Sequence, residues 1–232
     1  VIVSLSTIST AALAEIKVGI ILGFTGPIES LTPAMRDGAK LAFQEASDSG
    51  NLLGGETFTI LEADSTCVDA AAATAAAEGL VADGVAAIMG ADCSGVTKAI
   101  NASVAVPNGI LMVSPSATSP ALSKVPDAGT FWRTAPSDAK GGQILAQIAL
   151  DRGLTSVAIT YENSDYGKGL SEVFAAAFAA GGGTVTTNDP HENGKGDYSA
   201  EVGVLASAGG DALAVLGYLD QAGGKIVQGA LD

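Results

Sequence analysis

Short apolar runs alternate along the chain with longer stretches in which apolar residues recur every three or four positions. The first run covers residues 17–22. A stretch of helical spacing follows it, with Thr32 as the expected N-cap and Pro33 at the first helical position. Short aliphatic runs predict buried strands, and the longer spacing predicts helices with one face on a sheet. The alternation therefore predicts an α/β fold with parallel sheets flanked by helices.

The alternation falls into two groups. In the first group we predict strands at 17–22, 58–62, 85–89 and 110–113 and helices at 68–82 and 96–104, besides the helix after Thr32. The apolar face of that helix is expected on Met35, Ala39, Ala42, Phe43 and Ala46. In the second group we predict helices at 137–152, 167–180, 198–207 and 221–232 and strands at 157–161, 184–187 and 213–216.

These groups predict two Rossmann-like lobes, a ligand-binding N-terminal lobe at 15–133 and a second lobe at 134–232. The last helical stretch has neither a stop signal nor a following strand. We therefore expect the second lobe to be incomplete in this sequence.

The first fourteen residues are apolar or small and end in Ala12-Leu13-Ala14, the A-x-A pattern that signal peptidase cleaves. We interpret residues 1–14 as the remnant of a signal peptide, so that the mature chain begins at Glu15 and is exported. A buried strand or short helix is the alternative, but five Ser and Thr residues interrupt the run. No later stretch approaches the roughly 20 apolar residues of a membrane span.

Composition and charge indicate a globular protein and argue against some classes of binding partner. A chain of 232 residues that is 47% hydrophobic can form one large or two small domains with real cores. Its formal net charge is −14 and it has only 11 Lys and Arg residues, so we expect no nucleic-acid partner. The acidity could serve capture of cationic ligands. A solvated surface that keeps the protein soluble is the interpretation we favour.

Two cysteines, Cys67 and Cys93, lie in a chain that we expect to reach an oxidising compartment. Such a pair usually forms a disulfide, although two buried free thiols are the alternative. Together with the single His191 they do not complete a tetrahedral metal shell. We expect no metal and no other cofactor.

Ligands of open parallel sheets bind outside the carboxyl ends of the strands, near helix N-termini that favour an anion such as a carboxylate. Among the residues that follow predicted strands, Ser94, Ser116 and Thr118 offer hydroxyl groups there. Tyr166 and Tyr218 could close over the ligand from the second lobe. The alternatives are that the hydroxyl residues only cap helices and that the tyrosines only pack.

The sequence lacks the catalytic and phosphate-binding motifs that common α/β enzymes require. A Ser-His-Asp hydrolase needs a histidine at the pocket, yet His191 lies in a turn-rich polar stretch at 188–194, away from the predicted strand ends. The segment at 90–95, GADCSG, does not match G-x-S-x-G. The turn at 23–27, GFTGP, matches neither the dinucleotide fingerprint nor the P-loop. We therefore predict binding without turnover.

Several segments of the chain are similar to one family. They are IKVGIILGFTGP at 16–27, DSTC at 64–67, the Cys93-Ser94 pair, LMVSPSAT at 111–118, FWRTAP at 131–136 and DYGKGL at 165–170. Together they resemble the periplasmic branched-chain amino-acid-binding proteins of ABC importers. The resemblance implies a type I periplasmic binding fold with three crossover strands, the first at 131–134.

The resemblance also implies roles for particular residues. Ser94 and Thr118 would hold the carboxylate of an amino acid, the carbonyl of Ser116 would accept from its ammonium, and Tyr166 would approach from the second lobe. The two cysteines match the family's pair. Leu31 stands where the family commonly has an aromatic residue, and the second-lobe acid that pairs with the ammonium would lie beyond residue 232.

The sequence thus predicts a periplasmic solute-binding protein, a monomer, that captures an aliphatic or branched-chain amino acid and delivers it to the membrane permease of an ABC importer. A ligand-sensing domain of a receptor or regulator with the same fold is the alternative. An α/β enzyme is a third.

Overall fold

The computed structural model describes residues 15–232, so the signal-peptide remnant predicted at 1–14 lies outside the described residues. The strands are β1 (Glu15–Leu22), β2 (Thr57–Asp64), β3 (Ala87–Gly90), β4 (Leu111–Ser114), β5 (Phe131–Arg133), β6 (Ser156–Glu162), β7 (Thr184–His191) and β8 (Ala212–Leu216). The α-helices are α1 (Thr32–Asp48), α2 (Ala70–Ala82), α3 (Ser94–Ile100), α4 (Val106–Asn108), α5 (Asp138–Asp151), α6 (Asp165–Ala180), α7 (Ser199–Ala208) and α8 (Gly224–Leu231).

The first five strands form one parallel sheet in the order β2-β1-β3-β4-β5. Leu22 of β1 pairs with Asp64 of β2, and Ile21 pairs with Gly90 of β3, so these strands end together at one edge of the sheet. The helices α2 and α3 cover one face of the sheet and pack against Ile21 and Ile88 in the main core. The loops that follow β1, β3 and β4 therefore meet at the carboxyl edge.

Helix α1 lies against the opposite face of this sheet, where Phe43 packs edge-on against Phe58 at 5.0 Å between ring centroids. Its predicted apolar face is only half-buried, and Ala42 is exposed. The prediction of Thr32 as N-cap is wrong, because Leu31 occupies that position without a side-chain cap. The hydroxyl of Thr32 instead donates to the carbonyl of Gly23, which ties the helix start to the loop after β1.

The last three strands form a second parallel sheet, in the order β7-β6-β8. Side chains alternate between the faces of a strand, so Ile159 of β6 packs with Phe174 and Phe178 of α6, while Ala158 packs with Leu205 and other residues of the α7 and α8 side. The two described sheets share no strand. The α/β fold with parallel sheets flanked by helices is confirmed.

The placement of His191 in a polar loop away from strand ends is wrong. Strand β7 continues beyond the predicted 184–187 to His191, which pairs with Glu162 at the end of β6. Pro190 is tolerated because β7 is the edge strand of the described sheet, where a missing N–H breaks no ladder. His191 is 1% exposed, and its Nδ1 lies 2.9 Å from the hydroxyl of Thr160.

Two helical segments also differ from their predicted bounds. The segment predicted at 96–104 begins earlier, at Ser94, and continues from α3 through a π-turn at Asn101–Ala105 into α4. The last helix begins at Gly224 after another π-turn, not at residue 221. Among the helices of residues 15–232, none is long and apolar enough to cross a membrane.

Candidate functional site

A cavity of about 210 Å³ lies between the loops at the carboxyl ends of the two sheets. It is lined by all five residues that the sequence nominated for ligand binding: Ser94, Ser116, Thr118, Tyr166 and Tyr218. The first three come from the first sheet's side and the tyrosines from the second. The structure thus brings the nominated side chains together, while their role in binding stays a prediction.

Ser94 is the first residue of α3, directly after the loop that follows β3. Its side chain is buried, and its hydroxyl oxygen accepts a hydrogen bond from the backbone N–H of Ser119 at 3.1 Å. A hydroxyl that accepts one bond still has its own hydrogen to donate. The first amides of a helix also lack intrahelical partners, so this position offers donors to an anion.

Thr118 is joined to Asp138, a cavity-lining residue that the sequence analysis missed. The backbone N–H of Asp138 donates to the carbonyl of Thr118 at 2.9 Å. Oδ2 of Asp138 is buried, with no hydrogen-bond partner within residues 15–232. Burial raises the pKa of this carboxyl, while Thr118 and the charge of Arg133 oppose the rise.

A signal for Asp138 was present in the sequence. It is the first residue of a helix capped by Ser137, and it lies two residues after the FWRTAP segment that leads into the second lobe. A carboxylate at that point lies next to both lobes and can accept from a ligand's ammonium.

Ser116 uses its hydroxyl within the protein. The hydroxyl donates to the carbonyl of Asp92 at 3.1 Å and lies 3.8 Å from Sδ of Met35. The role of the Ser116 carbonyl, which rests on the family resemblance, stays a prediction.

Asp92 is a second carboxyl that the sequence analysis missed, and it holds the loops of the site together. It is 2% exposed and accepts from the backbone N–H of Gly23 at 2.6 Å, from that of Cys93 at 2.9 Å and from the hydroxyl of Ser65 at 3.2 Å. Burial raises its pKa, and these donors lower it. Asp92 therefore links the loops after β1, β2 and β3.

The structure contains the disulfide between Cys67 and Cys93. It connects the loop after β2 to the residue that precedes α3, across 26 positions of sequence. Thr66 and Cys67 both adopt positive φ angles, 56° and 67°, which non-glycine residues adopt rarely. The bond therefore holds an unusual loop conformation next to Ser94.

Tyr166 and Tyr218 stack on each other, with ring centroids 5.1 Å apart and an interplanar angle of 22°. The hydroxyl of Tyr218 lies 3.7 Å from Sγ of Cys93 and so reaches the first lobe. Burial, above all, raises the pKa of both phenols, and the nearby charge of Glu162 adds to the effect. Both tyrosines are therefore neutral near pH 7 and can donate hydrogen bonds.

One wall of the cavity is apolar. It is formed by Ile28, Leu31 and Met35, from the loop after β1 and the start of α1. Leu31, which stands where an aromatic residue was expected, thus lies at the cavity.

Two polar contacts join the lobes beside the cavity. Nζ of Lys98 lies 3.2 Å from Oδ2 of Asp165, and Nε2 of Gln221 donates to the carbonyl of Pro27 at 2.8 Å. Each contact links a residue of the first group of elements to one of the second. The structure therefore shows the cleft with its two sides in contact.

A family model described as periplasmic binding protein matches residues 15–229. The chain belongs to the periplasmic binding protein family. This periplasmic binding protein is 32% identical to the Leu/Ile/Val-binding protein BraC3 of Rhizobium johnstonii over 211 residues, which cover 90% of the chain and 56% of the relative.

Solved structures give the same result. The branched-chain amino acid substrate-binding protein LivJ of Streptococcus pneumoniae, in complex with isoleucine, is 27% identical, with a TM-score of 0.80 over 94% of this chain and 61% of its own. The leucine-binding protein LivK of Thermotoga maritima is 27% identical, with a TM-score of 0.76 over 86% of this chain and 55% of its own. The predicted resemblance is confirmed. The periplasmic binding protein described here spans less than two thirds of the length of these relatives.

Proposed function

We propose that this protein captures a free aliphatic amino acid between its two lobes and does not change it chemically. One observation carries the proposal. A single cavity combines hydroxyl groups at Ser94 and Thr118, an apolar wall and a carboxylate oxygen of Asp138 that has no hydrogen-bond partner within residues 15–232. These three features match the carboxylate, the ammonium and the side chain of such a ligand.

The carboxylate of the ligand binds on the first lobe. The hydroxyl of Ser94 and the amides at the start of α3 donate to it, and Thr118 donates from the neighbouring loop. Hydrogen bonds to a charged group contribute about 1.5–3 kcal/mol each, so two such donors account for much of the affinity of a small ligand.

The ammonium binds to Oδ2 of Asp138. A buried carboxylate oxygen without a partner is costly, and a cationic donor in hydrogen-bond contact removes that cost. Asp138 is the first residue of α5, at the start of the second group of elements. It therefore contacts the ligand at the junction of the two lobes. This assignment supplies an acid for the ammonium within residues 15–232.

The side chain of the ligand contacts Ile28, Leu31 and Met35. These residues carry no charged group, and their one heteroatom, the sulfur of Met35, already accepts from Ser116, so an aliphatic ligand buries apolar surface there without leaving a polar group unpaired. The relatives named as Leu/Ile/Val-binding and isoleucine-bound support this ligand class.

Transport is the role that the family supports. We propose that the protein acts in the periplasm as a monomer, closes over its ligand by a hinge motion and delivers it to the membrane permease of an ABC importer. The contacts of Lys98 with Asp165 and of Gln221 with Pro27 stabilise the closed arrangement.

A calorimetric screen tests the proposal. L-Leucine, L-isoleucine and L-valine are titrated beside 4-methylpentanoate, which lacks the ammonium, and 3-methylbutylamine, which lacks the carboxylate. We expect binding of the amino acids, much weaker binding of both analogues and recovery of unchanged ligand by mass spectrometry. Equal binding of an analogue, or conversion of the ligand, would contradict the proposal.

A further inference from the structure

The cleft extends beyond the amino-acid cavity. An outer chamber of about 600 Å³ shares Ser94, Tyr166 and Tyr218 with the inner cavity of about 210 Å³. Because the same three side chains line both spaces, a ligand held at Ser94 can extend from one into the other. Nothing in the proposed binding of a small aliphatic amino acid uses the outer chamber.

The two walls of the outer chamber differ in chemistry. Its second-lobe wall carries three carboxylates, Glu162, Asp165 and Glu192, beside the amides of two asparagines. Its first-lobe wall is formed largely by Val68, Val96 and other small or apolar groups. In the described part of the chain, no Lys or Arg lines this chamber. One wall thus suits methylene groups and the opposite wall suits a cation.

Glu162 stands out among these carboxylates. It is 4% exposed, and its Oε2 has no hydrogen-bond partner among the described residues. Burial raises the pKa of its carboxyl, and the backbone N–H of Tyr218 and the side chains of Ser164 and Asn193 oppose the rise. A buried carboxylate oxygen without a partner at the wall of a cavity indicates that a donor is supplied from the cavity.

The charges around the whole cleft support a cationic ligand. Five carboxyl groups line the two spaces: Asp92, Asp138, Glu162, Asp165 and Glu192. Three cations interact with them: Lys98, 3.2 Å from Asp165, Arg133, near Asp138, and Lys195, near Glu192, so the carboxyl groups outnumber the cations by two. A zwitterionic amino acid has no net charge and leaves this excess of negative charge in place, whereas a ligand with a second cationic group offsets part of it.

We propose that the outer chamber is a subsite for the cationic end of a ligand, so that the protein also binds amino acids whose methylene side chain ends in a guanidinium or ammonium group. The inference rests on the proposed capture of an amino acid, whose carboxylate stays at Ser94. The methylene groups lie along Val68, Ala70 and Gly95, and the cationic end donates to Glu162 with Glu192 nearby.

Arginine and citrulline separate charge from shape, because they differ little except in the charge of the terminal group. Calorimetry of the full chain at low salt is carried out with L-arginine, L-citrulline and L-leucine. We expect arginine to bind at least about tenfold more tightly than citrulline, and this preference to shrink as salt is added. Equal affinities for arginine and citrulline, or no binding of arginine, would overturn the inference.

Matched variants locate the effect. Glu162→Gln keeps the shape and removes the charge, and we expect it to abolish the preference for arginine over citrulline. Glu192→Gln alters an exposed side chain and keeps an oxygen that can accept from Asn163, so the fold should be kept; we expect it to weaken arginine binding about two- to fivefold with citrulline unchanged. Glu45→Gln, on the exposed side of α1, is the control and should change neither.

The outcomes also separate this inference from the proposed function. Binding of leucine without binding of arginine removes the outer subsite and leaves the inner site intact. If arginine binds, and binds more weakly to Glu192→Gln, while leucine does not bind, the outer subsite is supported and the proposed aliphatic ligand is ruled out. A preference for arginine that survives in both cleft variants places the cation elsewhere and contradicts the inference.

Discussion

Thr118 and Asp138 are joined by a hydrogen bond from the backbone N–H of Asp138 to the carbonyl of Thr118, at 2.9 Å. The two residues come from different groups of elements, since Thr118 follows β4 and Asp138 begins α5. A ligand that contacts both therefore bridges the lobes. The pair also places a donor and an acceptor side by side, as the two charged groups of an amino acid require.

The first prediction concerns the carboxylate donors. Ser94→Ala and Thr118→Ala should each weaken binding of L-leucine by about 1.5–3 kcal/mol, or about ten- to a hundredfold, because each removes a hydrogen bond to a charged group. Calorimetry gives the affinities, and circular dichroism checks that the fold is kept. Ser207→Ala, on the exposed face of α7, is the matched control. An unchanged affinity would refute the assignment of that residue.

The second prediction concerns Asp138. Asp138→Asn should weaken binding of L-leucine but not of 4-methylpentanoate, because only leucine carries the ammonium that the carboxylate contacts. Titration of both ligands into the wild type and the variant measures the difference. If the variant lost affinity for both ligands equally, Asp138 would act on the loop and not on the ammonium.

Much of the site follows from the sequence because parallel strands bring their carboxyl ends to one edge. Ser94, Ser116 and Thr118 could be nominated for that reason, although they are distant in sequence. Asp138 was missed although it begins a capped helix next to the FWRTAP segment, because its importance depends on the burial of one oxygen where two groups of elements meet. The extension of β7 to His191 was missed for a similar reason, since Pro190 argues against a strand unless the strand is known to lie at an edge.

The third prediction concerns the disulfide. Reduction of Cys67–Cys93, or the double variant Cys67→Ser and Cys93→Ser, should lower the free energy of unfolding by about 3 kcal/mol, because the bond closes a loop of intermediate length in the unfolded chain. Urea unfolding with and without reductant measures the change. Mass spectrometry of peptides prepared without reduction should find the two cysteines linked, and free thiols in exported protein would contradict the structure.

The fourth prediction concerns pH. Burial lowers the pKa of His191 below its usual 6.5 despite the nearby carboxylates of Glu201 and Glu192, so the unfolded chain takes up a proton more readily than the folded one. Its contribution to stability is therefore present above about pH 6.5 and is lost as pH falls through the folded pKa.

Comparison of the wild type with His191→Asn isolates this contribution. The buried carboxyls of the cleft have raised pKa values and act with the opposite sign, but their effect is common to both proteins and cancels in the difference. Urea unfolding of both proteins between pH 7.5 and pH 5 should show a steeper loss of stability in the wild type. Parallel curves would show that His191 does not titrate in this range.

The most direct test of the proposed binding mode is a crystal structure of the protein grown with saturating L-leucine. We expect one leucine in the inner cavity, with its carboxylate in hydrogen-bond contact with Ser94 and Thr118, its ammonium next to Asp138 and its side chain against Leu31. An empty cavity, a leucine bound elsewhere or a leucine in the reverse orientation would contradict it.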